Sequence, residues 1–86
     1  MSAGKNNALQ TALNHLDNGD WGAAHKIVQN HSDSDSDDSP AGCWLHGIVH
    51  VMEGDLDNAR YWYDRAGRVF SQDVAQETAA LRKWLA

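Results

Sequence analysis

His46, His50 and Glu53 stand at i, i+4 and i+7, so a helix through them puts all three on one face. Two imidazoles four residues apart on a helix can share one divalent ion, and the glutamate can add a third donor; zinc takes nitrogen and oxygen ligands of this kind. His15 and His25 would approach the set if the helices that carry them pack against this one. The plainer reading is a pair of core histidines, each hydrogen-bonded to a carboxylate, a tyrosine hydroxyl or a backbone group. No H-E-x-x-H or Cys–His pattern accompanies the pair, so the expectation is no cofactor, with a divalent metal such as zinc as the alternative.

Other reactive residues make weaker sets. Cys43 with a histidine would be a nucleophile–base pair, but it lies in apolar sequence with no cationic neighbour to lower its pKa. The run S-D-S-D-S-D-D-S at 32–39 contains D-x-D-x-D. It lacks the glycine that bends a calcium loop, and Trp44 stands where the closing glutamate belongs. Arg60, Arg65 and Arg68 could hold an anion, although their spacing to Asp57 and Asp64 suits ordinary helical ion pairs. No nucleophile, base and orienting group fall together, so no enzyme is expected.

The elements that must position these residues are helical. Leu9, Leu13 and Leu16 recur at i, i+4 and i+7, the stripe of a first helix that starts at Asn6 or Asn7. Asn18-Gly19 ends it, and Asp20 caps a second helix carrying Trp21, Ala24, Ile27 and Val28. After the acidic loop, Pro40 opens a third helix that is apolar almost all round, broken only by His46 and His50. A helix of that kind belongs at the centre. Gly54-Asp55 repeats the corner before a fourth helix with Leu56, Ala59, Tyr63 and Ala66 on one face. Ser71 can cap a fifth, with Val74, Thr78, Leu81 and Leu85 facing inward. No segment alternates with period two, so no strand is expected. The fold class is all-α.

Gly19 and Gly54, Asp20 and Asp55, Ala24 and Ala59, Ala12 and Gly47, and His15 and His50 all fall 35 residues apart. A period in the thirties with one helical hairpin per unit is the mark of a helical-repeat array. In the second unit, Gly47, the Gly54-Asp55 corner, Ala59, Tyr63 and Ala66 stand as they do in tetratricopeptide repeats, which residues 6–67 resemble. Cys43, His46 and His50 depart from that pattern, standing where the family has Trp, Leu and Tyr. The resemblance implies two hairpins, 6–31 and 40–67, with 32–39 as an acidic flexible loop and 71–85 as a capping helix, in a single domain. It also implies a groove along the first helices of each pair that takes a peptide or partner helix. Leu9, Leu13, Leu16, Trp44, Ile48, Val51 and Met52 would line it. Seven apolar side chains are more than a small monomer leaves bare. They are to be covered by the fifth helix, by a second copy of the chain in a homodimer, or by a protein partner.

Composition narrows the partners. The 86 residues are 42% apolar with four Trp, enough for one core. A net charge of −5 opposes nucleic acid and anionic membranes, and four of the twelve acids (Asp33, Asp35, Asp37, Asp38) sit in the one loop. The single Cys43 suits a reducing compartment, and the first residues hold no signal-length apolar run, so the expected location is cytoplasmic. The sequence therefore favours a non-catalytic interaction module working through the apolar residues of helices one and three. A metal or small-ligand binder using His46, His50 and Glu53 is the alternative.

Overall fold

The structure is a computed structural model that describes residues 3–35 and 40–85, with side chains described for 8–29 and 40–85. It is all-α. Five helices follow in order: α1 Ala3–Asp17, α2 Trp21–Asp35, α3 Pro40–Glu53, α4 Leu56–Ala66 and α5 Val74–Leu85. Among the described residues no helix is long and apolar enough to cross a membrane.

The repeated corner is built from the same hydrogen bonds twice. At the end of α1, Gly19 N–H donates to the Leu16 carbonyl at 2.9 Å and Asp20 N–H to the His15 carbonyl at 2.8 Å. At the end of α3, Gly54 donates to Val51 at 3.1 Å and Asp55 to His50 at 2.9 Å. This pair of bonds closes a helix through one left-handed residue, and both glycines have positive φ, 77° and 91°. Each aspartate then caps the next helix. Asp20 Oδ1 accepts from Ala23 N–H at 3.2 Å, and Asp55 Oδ1 from Asn58 N–H at 3.3 Å. Two-to-three-residue corners of this kind fold α1 back on α2 and α3 back on α4, giving two hairpins.

α3 packs against all four other helices. Gly42 to His50 are buried without interruption, the central place its apolar sequence demands. Against α4 the approach is so close that a Cβ on Gly47 would lie 2.6 Å from Tyr63 Cδ1 and 3.2 Å from the Ala59 carbonyl oxygen. α5 lies across α1 and α3. It is tied there by Glu77, whose Oε1 accepts from Trp44 Nε1 at 3.0 Å and from the Tyr63 hydroxyl at 2.8 Å, and by Arg82, which reaches Asp17 at 2.8 Å.

Several boundaries and placements differ from expectation. α1 starts earlier, at Ala3, and α2 continues to Asp35, because extending a helix already nucleated costs only a few tenths of a kcal/mol even for Ser and Asp. The first half of the expected acidic loop is therefore helical backbone, and residues 36–39 lie outside the described residues. α5 is capped by Asp73, whose Oδ1 accepts from Gln76 N–H at 3.2 Å, while Ser71 Oγ accepts from Asp73 N–H. Trp21 is exposed at the start of α2 rather than part of its buried stripe.

Most of the apolar face offered for the fifth helix, a second copy or a partner is covered within the chain. Leu9, Leu13, Leu16, Trp44 and Ile48 are buried inside this chain, and only Val51 and Met52 keep partial exposure. With α5 laid over α1 and α3, the first helices of the two hairpins face core.

Candidate functional site

α3 brings His46 and His50 to its side facing α2, one turn apart and 5% and 4% exposed. α2 supplies the third ring, His25, which is half-buried. The three imidazoles form a nearly equilateral triangle, with ring centroids 5.1 Å (His25–His46), 5.0 Å (His25–His50) and 4.9 Å (His46–His50) apart. One ligand nitrogen from each lies within 4.8 Å of the other two. With metal–nitrogen bonds of about 2.0–2.1 Å, three imidazoles on one tetrahedral ion have centroids roughly 5 Å apart. The ring centres stand at that spacing, with the His46 and His50 planes 20° from parallel.

Each ring is held differently. Trp62 of α4 stacks flat on His46, with centroids 3.9 Å apart and planes 8° from parallel. Arg65 lies over the far neighbours, 5.6 Å from the Trp62 centroid, and donates to the Tyr61 hydroxyl at 3.1 Å. His50 Nδ1 is hydrogen-bonded to Glu53 Oε1, a charge-assisted pair in the last turn of α3. The plainer reading of a core histidine satisfied by a carboxylate therefore fits His50. It does not fit His46, whose buried Nδ1 has no hydrogen-bond partner among the described residues. Leaving such an atom unpaired costs about 1–3 kcal/mol.

Burial, and after it the neighbouring imidazoles of His50 and His25, holds His46 far below its ordinary 6.5, at about 3. At neutral pH its ring is uncharged and offers a lone pair, the state a metal requires.

The sequence placed Glu53 beside His46 and His50 as a donor; the structure puts it against His50, and the third member of the triangle is His25. The periodicity of α2 sets His25 next to the buried Ala24 and Val28, so its partial burial was legible, but its meeting with α3 depends on how the two hairpins dock. His15, the repeat equivalent of His50, stays away at the first corner, with its Nδ1 4.0 Å from Asp20. Asp55 forms a second group with His50 and Glu53, but its two oxygens already accept from the backbone and side chain of Asn58.

The remaining reactive residues are spent on structure. Cys43 is buried. Arg60 and Arg68 lie over the rings of Phe70 and Trp44, at 5.0 and 3.7 Å from the centroids. Burial, reinforced by the bond to Glu77, raises the Tyr63 hydroxyl above the ordinary phenol range. A hollow of about 380 Å³ lined by Gly67, Arg68, Val69, Phe70, Ser71 and Glu77 lies beside these groups; of its lining, Glu77 Oε1 is bonded to Trp44 and Tyr63.

Comparison with protein-family models, with curated proteins and with solved structures found no match to this chain.

Proposed function

We propose that this chain is a binding protein for one divalent transition-metal ion of the zinc class, held by His25, His46 and His50 on a scaffold of two tetratricopeptide-like hairpins. The observation that carries the reading is the meeting of three imidazoles from two hairpins, with ligand atoms within 4.8 Å of one another; a buried His46 Nδ1 with no hydrogen-bond partner among the described residues supports it. Three neutral nitrogens favour zinc, cobalt, nickel or copper over magnesium or calcium, which prefer oxygen. The scaffold reading is supported by the duplicated corner and by the contact at Gly47. An interaction role through helices one and three has less support, since five of its seven residues are core.

Cobalt(II) titration of the purified protein tests the assignment. One equivalent should produce visible bands of a four-coordinate site, zinc should displace it, and His25→Ala should abolish both. His25 is the least buried of the three, so that variant leaves the core intact. Absence of bands in wild-type protein at micromolar concentrations, with no zinc retained after dialysis, would sink the reading.

A further inference from the structure

The sequence offers Glu53 as a metal ligand; its contacts assign it another task. An ionised carboxylate only accepts hydrogen bonds, so the bond between Glu53 Oε1 and His50 Nδ1 puts a proton on Nδ1, and in the neutral ring that a metal takes the lone pair is then on Nε2. The three-imidazole group does not include Glu53 among the described residues. Both partners are held: His50 is buried, Glu53 is 21% exposed in its side chain, and the His50 carbonyl is anchored by the Asp55 N–H at 2.9 Å.

The first hairpin serves as an internal control. Thr11, His15 and Asn18 occupy the places of His46, His50 and Glu53, 35 residues earlier. That hairpin makes the same corner with the same backbone bonds and cap. Its Asn18 side chain donates to the Asn14 carbonyl at 3.2 Å and does no work on His15. The carboxylate near His15 Nδ1 in that hairpin is the capping Asp20, at 4.0 Å, so among the described residues a glutamate hydrogen-bonded to the last-turn histidine from three residues on is found only in the unit that carries the imidazole triangle.

We propose that Glu53 is a positioning residue of the metal site, which fixes His50 as its Nδ1–H tautomer and turns Nε2 toward the ion bound by His25 and His46. The inference rests on the metal-binding reading above. A carboxylate behind a ligating imidazole orients the ring and makes it a better donor, and losing such a partner typically weakens metal binding about 10–100-fold.

Two measurements test it separately from the binding reading. Two-bond 15N–1H correlation spectra of the metal-free wild-type protein should show His50 as the Nδ1–H tautomer, and Glu53→Gln should mix or reverse it. This readout needs no metal. It stands even if cobalt titration finds no ion, in which case the metal assignment fails and Glu53 still orients His50. Chelator competition should then show zinc binding weakened about 10–100-fold in Glu53→Gln and less in Glu53→Asp, with the cobalt bands of the variant unmoved. Three results would overturn the proposal: an Nε2–H tautomer for His50 in the wild type, unchanged zinc affinity in Glu53→Gln, or cobalt bands displaced by that substitution. The last would make Glu53 a ligand, as would a second equivalent of cobalt that disappears in Asp55→Asn.

Discussion

His46 has the least comfortable place of any single side chain described. Its Nδ1 is buried without a partner among the described residues, Trp62 covers one face, His50 lies near-parallel to it at 20° and His25 meets it edge-on. These surroundings disfavour its charged form, so the folded chain keeps it neutral down to a pH of about 3. The unfolded chain protonates the same ring near pH 6.5. Between those values the unfolded state binds more protons, so stability must fall as the solution is acidified below about 6.5, and this contribution is level above it. Thermal melts of metal-free protein from pH 8 to pH 4.5 should show that decline. His46→Phe, which keeps a flat ring against Trp62, should flatten it; an equally steep decline in the variant would place the acid sensitivity elsewhere.

At the scale of the helix, the approach of α3 to α4 is set by one missing methyl. Gly47→Ala should cost roughly 1–3 kcal/mol, because Tyr63 is buried and its hydroxyl is tied to Glu77, leaving the ring nowhere to retreat. Urea unfolding measures this, and the repeat-equivalent Ala12→Gly gives a comparison of opposite chemistry. Much at this scale was legible in the sequence. The two Gly-Asp corners, the small residue at 47 and the all-round apolar third helix each act through local chemistry that travels with the residue type, and all stand where the sequence puts them. What was not legible depends on docking. Whether α5 or another chain would cover Trp44 turns on Glu77, a residue whose type suggests solvent and whose Oε1 accepts from two buried donors. The metal candidate shows the same division: i, i+4 spacing displays His46 and His50 on one face, whereas His25 joins them only because α2 lies against α3, and spacing alone cannot tell a ligand at Glu53 from a group behind one.

Across the whole molecule, the imidazole triangle is a link between the two hairpins, with His25 in the first and His46 and His50 in the second. On the proposed reading, an ion there would bind the folded chain and not the unfolded one. At a hundredfold excess over its Kd it adds about 2.7 kcal/mol, which for a domain of this size raises Tm by roughly 10–20 °C. Calorimetry with zinc and with chelator should show that difference in the wild type and lose it in His25→Ala; equal shifts in both would mean zinc acts elsewhere. The single oxygen of Glu77 has a consequence of another kind. Because it receives one donor from α3 and one from α4, the last helix cannot peel away as an independent flap: its departure strands the Trp44 indole and the Tyr63 hydroxyl together, inside the joint between the helices of the second hairpin. That one oxygen thus ties the C-terminal helix to both helices of the hairpin at once. A chain shortened before residue 74 would lose the acceptor that lets its two largest buried aromatics stay dry.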